Sequence, residues 1–415
     1  MRHSRLHPGA IVIGGDYRGL GVVRSLGRRG IPVWVLYDEH RLAGLSRYAQ
    51  RSFPWPTQTN RLGQVAYLLH LAQAHQLDGW TLFPTGDETA ALLARHHKQL
   101  SQHFRVTTPP WQVFRWAYDK RLTYHLAGRL GIGYPWTRYP RDRATVAALK
   151  PPFPVILKPA IKPEANALTV AKAWRVDNQR ELLPAFDAAS LLMDKKLIMI
   201  QELIPGGGEN QLSFATLCVE GQPRARIVAR RIRQYPMDFG RASTYVESTE
   251  DPILEVTATR LLAAMQYTGL VEVEFKRDAR DGEPKLLDVN PRVWGWHTLG
   301  RRAGTDFAHL QWRLSHGETP AAARTRAGLR WVRLTTDVPT ALSQAAQGKM
   351  SPGDYLRSLR GDLEYATMAA DDPLPAMAEL PLQALQGAAR ALSRRRSNDL
   401  PRPRRRTPRS AVTEP

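Results

Sequence analysis

The chain has 415 residues and a formal net charge of +21, with 43% hydrophobic and 23% charged residues, which predicts a soluble protein of two or three domains. No apolar run approaches the roughly 20 residues that span a bilayer, and the first apolar stretch is too short for a signal peptide and is expected to be a strand. The single cysteine, Cys218, excludes an internal disulfide and a thiolate metal cluster, and it indicates a reducing compartment, so we expect a cytoplasmic protein.

The first predicted elements are strand, glycine turn, helix and strand over residues 10–37, a βα unit of a parallel sheet. The glycines of this turn lack the G-x-G-x-x-G spacing, which favours a tight strand–helix connection over a dinucleotide site. A second unit has a helix at 61–76. Asp87 and Glu88 then begin another helix, and acidic residues are favoured in the first turn of a helix. We therefore expect an αβ domain over residues 1–110.

The middle of the chain alternates helices and strands. We predict a helix at 119–130 that ends on Gly131, because glycine commonly terminates helices. A short strand then ends at Lys158, and a later strand runs into the Pro-Gly-Gly-Gly turn at 205–208. A hairpin follows this turn, and a helix at 252–266 leads to a second, long hairpin.

The C-terminal part divides by composition. From about residue 298 to 370 the pattern is mainly helical, so we place a second domain at 111–320 and a helical extension at 321–393. The tail at 394–415 has the composition of a disordered segment. A basic excess suggests a polyanionic partner, but no aromatic-interleaved basic motif occurs, so we expect no specific nucleic acid.

The tail allows two interpretations. Between residues 394 and 409 lie eight arginines and one acid, directly after a segment whose leucines and alanines recur at helical spacing. Either this helix packs on the protein body and the tail is a solubilising extension, or the segment makes weak contact with an anionic membrane surface. The residues of the apolar face are Leu382, Leu385, Ala389 and Leu392.

Polar side chains interrupt the second long hairpin. Strand alternation places Glu272 and Glu274 on one face of the outgoing strand, and Asp288 and Asn290 on one face of the return strand. A reversal at Asp281-Gly282, a favoured turn pair, sets Glu274 beside Asp288 and Glu272 beside Asn290. The opposite, core-facing side is predicted to carry Val271, Val273, Phe275, Leu287 and Val289.

Carboxylates brought this close repel one another unless a cation neutralises them. Hard oxygen ligands without histidine or cysteine select Mg²⁺ or Mn²⁺, and Mg²⁺ is commonly held by a few carboxylates together with substrate phosphates. Arg292, two residues beyond Asn290, is suited to contact a phosphoryl oxygen beside that metal. The alternative is a solvated acidic hairpin face. Lys158 at a strand end and the polar hinge at 201–204 favour the phosphate-binding interpretation.

Together these motifs resemble the ATP-grasp superfamily. Asp-Lys at 119–120, the strand V-I-L-K-P, the hinge Q-E-L-I-P-G, and V-E-V-E-F with L-L-D-V-N-P-R occur in the order of that family, over residues 110–315. The gap between Glu274 and Asp288 is similar to that in carbamoyl-phosphate synthase large chains. The presence of a single unit resembles carboxylate–amine ligases such as D-aspartate ligase-like enzymes. The resemblance implies an α/β protein: a pre-ATP-grasp αβ domain, an ATP-grasp fold of two α+β subdomains, and a helical C-terminal extension.

The resemblance also implies roles for individual residues. ATP is expected between cations that hold its phosphates and a hinge that reads adenine partly through its backbone. The phosphate ligands are Lys120 and Lys158, the hinge residues Gln201, Glu202 and Ile204, the ribose ligand Glu209, the metal ligands Glu274, Asp288 and Asn290, and the arginine that steadies an acyl phosphate Arg292.

The implied activity is ATP- and Mg²⁺-dependent activation of a small carboxylate as an acyl phosphate, followed by attack of an amine. Two alternatives are carboxyl-phosphate chemistry on bicarbonate with a non-biotin acceptor, and a non-enzymatic nucleotide sensor that binds polyanions. A homodimer is compatible with each of these functions.

Some segments depart from the family pattern. The loop at 159–168 has no glycine where many relatives carry a glycine-rich phosphate lid, and Lys172 is a candidate substitute cation. The segment at 229–247 is the candidate substrate pocket or lid, where Arg231 and Arg233 share a predicted strand face. These arginines either bind an acceptor carboxylate or phosphate, with Arg233 assigned to catalysis, or form a solvated basic strand. The paired tryptophans that follow Arg292, Trp294 and Trp296, are expected in the core.

Overall fold

The computed structural model describes residues 8–161, 166–235 and 242–398, and within these ranges it has the predicted α/β architecture. The N-terminal part is a parallel sheet in the order β3-β2-β1-β4-β5. Its strands are β1 (Ala10–Ile13), β2 (Val33–Tyr37), β3 (Arg51–Pro54), β4 (Thr81–Pro84) and β5 (Arg105–Val106), and its helices are α1 (Tyr17–Gly27), α2 (Arg61–His75), α3 (Asp87–Arg95) and α4 (His97–Leu100).

Helices cover both faces of this sheet. Ala10 and Val12 of β1 pack into a cluster with α1, whereas Ile11 and Ile13 pack into a separate cluster with α2 and α3. Successive side chains of a strand point to opposite faces, so a strand that is buried on both sides reads as a continuous apolar run. The predicted αβ domain is therefore a two-sided layer structure, in which β1 is fully buried.

A smaller antiparallel sheet follows, in the order β6-β9-β7-β8. Two helices lead to it, and the second ends before Gly131, whose φ of +66° is the left-handed conformation that glycine favours. The elements of this part are α5 (Trp111–Tyr118), α6 (Lys120–Arg129), β6 (Thr137–Arg138), α7 (Arg143–Ala148), β7 (Val155–Pro159), α8 (Ala167–Ala171), β8 (Trp174–Val176), α9 (Gln179–Ser190) and β9 (Ile198–Glu202).

The larger sheet has the order β14-β13-β10-β11-β12-β16-β17, with β15 beside β11. Its strands are β10 (Gln211–Val219), β11 (Gln222–Tyr235), β12 (Ala242–Thr249), β13 (Gly269–Arg277), β14 (Pro284–Asn290), β15 (Ala323–Arg324), β16 (Arg330–Val332) and β17 (Leu363–Tyr365). The helices of this part are α10 (Pro252–Met265), α11 (Thr298–Arg302), α12 (Phe307–Ser315), α13 (Leu334–Ala346), α14 (Pro352–Ser358) and α15 (Leu374–Asn398).

The helical C-terminal extension at 321–393 also contains short strands. β16 pairs with β12 and β17 pairs with β16, so the extension lengthens the larger sheet. The buried residues that drive this pairing are Trp331 and Val332 on β16 and Leu363 on β17. Strands of three residues are too short to give a readable alternation, because a period of two needs several repeats to be distinguished from a helix.

Helix α15 packs on the N-terminal part. Gln386 donates from Nε2 to the carbonyl oxygen of Glu39 at 2.6 Å, and Arg390 pairs with the Glu39 carboxylate. Upstream of the helix, Asp372 forms a buried ion pair with Arg24 at 2.9 Å. These contacts match the interpretation in which the helix docks on the protein body. Among the described residues no helix is both long and apolar enough to cross a membrane. The predicted membrane contact of the arginine-rich tail falls mainly on residues 399–415, outside the described ranges.

Arg233 is buried in an ion pair and is not among the described residues that line the main cavity, and its assignment to catalysis stays a prediction. Its guanidinium donates to both carboxylate oxygens of Asp337 on α13, at 2.8 and 2.7 Å, and the two residues are 3% and 0% exposed. Irregular pairing with β12 between Arg231 and Arg233 breaks the alternation that would have placed both on one face. The pair therefore joins the C-terminal extension to the larger sheet.

Replacing Asp337 should destabilise the fold. Asp337→Ala leaves the Arg233 charge buried without its partner, which typically costs 3–5 kcal/mol, on the order of the loss expected here. The free energy of unfolding is measured by urea denaturation. Asp187→Ala is the matched control, because its partner Arg143 is 66% exposed and exposed pairs contribute about 1 kcal/mol or less. Equal losses in the two variants would contradict the structural role of Arg233.

Candidate functional site

A cavity of about 1070 Å³ lies where the N-terminal part meets the two antiparallel-rich sheets. Most of the residues predicted for the site line it, although they come from distant parts of the chain. They are Lys120, Lys158, Gln201, Glu202, Ile204, Glu274, Asp288, Asn290 and Arg292. Lys172, the candidate substitute cation, also lines the cavity. Their common location is what the predicted nucleotide site requires, and their individual roles remain predictions.

Two predicted site residues are placed differently. Arg231 lines the cavity, whereas Arg233 is not among the described residues that line it. Glu209, the predicted ribose ligand, is exposed, and its Oε1 accepts a hydrogen bond from the backbone of Gly207 at 3.2 Å. Parts of the predicted lid segments, residues 162–165 and 236–241, lie outside the described ranges.

The hairpin of β13 and β14 has the predicted register. Glu274 is paired with Asp288, and Glu272 is paired with Asn290. The chain reverses next to Gly282, whose φ is +74°, as the Asp-Gly pair predicts. The four polar residues are therefore cross-strand neighbours on the cavity side of the sheet.

A bulge beside this pair corrects one detail. Phe275 pairs with Leu286, although Glu274 pairs with Asp288, so Leu287 is the extra residue of β14. Leu286 is fully buried in the core and Leu287 lines the cavity, which is the reverse of the predicted alternation. Trp294 and Trp296 are 0% and 3% exposed, so their prediction as core residues is confirmed.

Cations and amides neutralise the acidic pair. Lys120 Nζ lies 2.7 Å from Asp288 Oδ1, and Arg231 lies 3.6 Å from Glu274 Oε2. Asn290 Nδ2 donates to Glu274 Oε1 at 2.8 Å and to Glu272 Oε2 at 3.1 Å. Burial, with the neighbouring Glu274 charge as the second cause, raises the pKa of Glu272 to about 7. The carboxylates of the site are therefore balanced by protein cations and hydrogen-bond donors.

The donor set fits a hard divalent cation that is completed by substrate oxygens. Glu274, Asp288 and Asn290 supply carboxylate and amide oxygens, the ligands that Mg²⁺ and Mn²⁺ prefer. Among the described residues no group of three or more acidic, histidine or cysteine side chains is arranged to hold a metal. A metal here would consequently depend on Asn290 and on oxygens from a bound phosphate, which is the usual situation for Mg²⁺.

Hydrogen bonds fix the orientation of the Gln201 amide. Its Nε2 donates to Tyr124 Oη at 3.0 Å and to Thr137 Oγ1 at 2.9 Å. Each hydroxyl gives its own proton to a backbone carbonyl: Tyr124 to Leu287 at 2.7 Å, and Thr137 to Pro135 at 2.8 Å. Both hydroxyls can therefore only accept from Gln201, which leaves Oε1 as the amide atom available to the cavity.

The hinge beyond Gln201 is held from both sides. The Glu202 carboxylate pairs with Arg280 at 2.6 Å, and Lys276 Nζ donates to the carbonyl oxygen of Ile204 at 2.8 Å. Its backbone is anchored by the Glu202 amide on Trp136 and the Leu203 amide on Pro154. The hinge therefore presents a flat edge of fixed shape to the cavity, and this edge carries both apolar and polar groups.

Comparisons with known proteins agree with this geometry. A family described as "ATP-grasp in the biosynthetic pathway with Ter operon" matches residues 198–337. A D-aspartate ligase of Enterococcus faecium (strain Aus0004) is 23% identical over 309 residues, which are 68% of this chain and 70% of that protein. Residues 198–337 thus match an ATP-grasp family, and the relative with the longer match is a ligase.

Solved ATP-grasp structures share the fold. An L-amino acid ligase from Bacillus licheniformis is 16% identical with a TM-score of 0.58, over 75% of each chain. A biotin carboxylase from Campylobacter jejuni, solved as a β,γ-ATP complex, is also 16% identical, with a TM-score of 0.59 over 74% of this chain and 71% of that one. At 16% identity these comparisons show that the fold is similar, and they say nothing about substrates.

The N-terminal part contributes residues to the cavity that the sequence motifs do not predict. Tyr17 and Arg18, at the start of α1, and Asp87, at the start of α3, line it. Asp87 was interpreted as a helix-capping acid, and it does occupy the first turn of α3. The available signal was its position directly after β4, since ligands of parallel αβ sheets bind at the carboxyl ends of the strands.

Nucleotide selectivity should depend on Tyr124. In Tyr124→Phe the Gln201 amide loses a partner that fixes its orientation, and the hypothesis that Gln201 reads adenine then predicts weaker exclusion of the guanine 6-oxo group. We expect the preference for ATP over GTP analogues to fall by about tenfold, equivalent to about one hydrogen bond. Calorimetric titration with non-hydrolysable analogues measures it. Tyr267→Phe is the control, because Tyr267 is also buried but donates to Leu270 at 3.2 Å. An unchanged preference in Tyr124→Phe would contradict the assignment.

Proposed function

We propose that the protein is an ATP-dependent carboxylate–amine ligase, which activates a small carboxylate as an acyl phosphate and transfers the acyl group to an amine. The observation that carries this proposal is the convergence, in one cavity, of a hinge, two lysines, a cross-strand pair of hard oxygen ligands and Arg292. Two of the similar proteins are named as ligases of aspartate or of amino acids, which supports the same reaction class.

The proposed nucleotide site uses the hinge and the lysines. Adenine lies against Ile204, with its amino group donating to Gln201 Oε1. The Glu202 carboxylate is held by Arg280, so Glu202 contributes through its backbone. Lys120 and Lys158 neutralise the phosphates, because a cation that hydrogen bonds to a phosphate oxygen combines charge with direction. Glu209 would have to release Gly207 to bind the ribose.

The metal ligands are proposed to be Glu274, Asp288 and Asn290, and Mg²⁺ or Mn²⁺ is the ion that fits them. When bound, such an ion withdraws charge from the phosphate oxygens and clamps the group being transferred. Lys120 Nζ lies 2.7 Å from Asp288 Oδ1 in this structure. Binding of the nucleotide allows Lys120 to exchange this carboxylate for phosphate oxygens, so the total charge of the site stays balanced.

The reaction then follows from the positions of the groups. A carboxylate oxygen of the first substrate attacks the γ-phosphorus, and the bond between this phosphorus and the ADP oxygen breaks. Arg292, which lines the cavity beside Asn290, stabilises the negative charge of the acyl phosphate. The amine nitrogen attacks the acyl carbon, phosphate leaves, and the nitrogen loses a proton. The cavity of about 1070 Å³ brings the reactants together.

A substrate panel tests this proposal. We expect ADP and phosphate to be released when ATP and Mg²⁺ are supplied with one carboxylate and one amine of the panel. An amide product, detected by mass spectrometry, should form in the same amount as ADP and phosphate. The panel contains amino acids, other small carboxylates and bicarbonate. Turnover with bicarbonate alone as the carboxylate would favour carboxyl-phosphate chemistry, and nucleotide binding without turnover by any pair would favour a sensor.

The control for the panel is Asp288→Ala, which removes one metal ligand while the strand pairing of β14 remains. We expect turnover to fall below detection while the melting temperature stays close to that of the parent protein. Turnover near the parent rate at saturating Mg²⁺ would contradict the metal assignment. Glu283→Ala serves as the matched substitution, because Glu283 is an exposed acid in the turn of the same hairpin.

A further inference from the structure

The N-terminal part reaches Arg292 through an ion pair. Arg292 Nε donates to Asp87 Oδ1 at 2.6 Å, although the two residues are 205 positions apart. Their side chains are 11% and 18% exposed, so solvent screens the contact only in part. An acid from the first part of the chain therefore touches the arginine to which the proposed function assigns the acyl phosphate.

The other contacts of Arg292 show what the ion pair does. NH1 donates to the carbonyl oxygen of Val293 at 3.0 Å, and NH2 lies 3.4 Å from Asn290 Oδ1. Both of these partners are neighbours in sequence and move with Arg292. Asp87 is the partner that relates the planar guanidinium to a separate part of the structure. A guanidinium bound through Nε keeps N–H groups of NH1 and NH2 for a ligand in the cavity.

Asp87 is itself held in place by the fold. It is the first residue of α3 and follows β4, whose four residues are buried. Burial opposes the charge of Arg18, but Asp16, which lies 2.6 Å away, and to a smaller extent Asp87 raise the pKa of this guanidinium. Alternating charges thus run from the β1–α1 turn to Arg292, and all of the residues involved except Asp16 line the cavity.

We propose that Asp87 is a positioning residue, which orients the Arg292 guanidinium toward the transferred phosphoryl group and so makes the N-terminal part a component of the catalytic site. This inference rests on the role given to Arg292 by the proposed function. It predicts that Asp87 affects the phosphoryl-transfer step and the binding of free phosphate, and that it does not affect the binding of adenine at the distant hinge.

The first test is Asp87→Asn, which keeps the size of the side chain and removes its charge. We expect kcat to fall on the order of 10²-fold, the cost of a misplaced catalytic group, while the KM for ATP stays nearly constant. Asp87→Glu should recover part of kcat. Glu88→Gln is the matched control, since Glu88 is an exposed acid in the same helical turn, and it should leave kcat unchanged. A loss that Glu88→Gln shares would overturn the proposal in favour of helix stability.

The second test is a double-mutant cycle with Arg292→Lys, which separates this inference from the proposed function. If Asp87 acts through Arg292, adding Asp87→Asn to Arg292→Lys lowers kcat little further, whereas independent effects add. The same cycle is also measured without turnover, by titrating inorganic phosphate into the protein saturated with MgADP.

In this binding experiment we expect Asp87→Asn to weaken phosphate binding in the parent protein and not in Arg292→Lys. Additive losses, or equal phosphate affinity in all four proteins, would overturn the role of Asp87 even when the parent is an active ligase. A parent without turnover that still shows the coupling would refute only the ligase assignment.

Discussion

Two acidic residues face each other across a hairpin, and much of the surrounding structure neutralises them. The register of β13 and β14 sets Glu274 beside Asp288 and Glu272 beside Asn290. Unbalanced carboxylates at such a spacing would be costly in a buried setting. Lys120, Arg231 and the Asn290 amide balance them in the protein alone. In the proposed function a divalent cation would take over the balancing of these carboxylates, and the phosphates of the nucleotide would take over the protein cations.

Some arginines of the chain have a structural use in buried ion pairs. Two buried ion pairs attach the C-terminal segment to the rest of the structure: Arg24 with Asp372 fixes it to α1, and Arg233 with Asp337 fixes α13 to the larger sheet. Each guanidinium offers several donors to one carboxylate, which gives such pairs a defined geometry. The C-terminal extension therefore supports the strands that carry the site. A cavity between separate sheets needs this support, because misplacement of a catalytic group by about 1 Å is expensive.

Much of the site was predictable because its residues are arranged by local rules. Alternation and an Asp-Gly turn gave the partner of Glu274, and short motifs located Lys158 and the Gln201 hinge. Irregularities of the strands were not predictable. A bulge exchanged Leu286 and Leu287 between core and cavity, and irregular pairing separated Arg231 from Arg233. A one-residue shift changes the face of every following side chain, and nothing in the local sequence announces it.

Long-range partners were also beyond the sequence. Arg233 binds Asp337 across 104 positions, and Arg292 binds Asp87 across 205. Both acids have an ordinary local explanation, since each lies in the first turn of a helix. The short strands β16 and β17 are a similar case, because they exist through pairing with β12 and not through their own pattern. Local sequence patterns thus predict the residues of the proposed nucleotide site. The contribution of the N-terminal part is visible only in the tertiary structure.

The central claim is that a carboxylate oxygen of the substrate becomes bonded to the γ-phosphorus of ATP. Transfer of oxygen measures this directly. The carboxylate that supports turnover is labelled with ¹⁸O, and the phosphate released in the presence of the amine is analysed by mass spectrometry. Formation of an acyl phosphate predicts one ¹⁸O atom in each phosphate molecule, because the acyl carbon–oxygen bond breaks when the amine attacks. The reaction is run in unlabelled water. Phosphate without ¹⁸O would show that water, and not the carboxylate, received the γ-phosphoryl group, and it would contradict the proposed reaction.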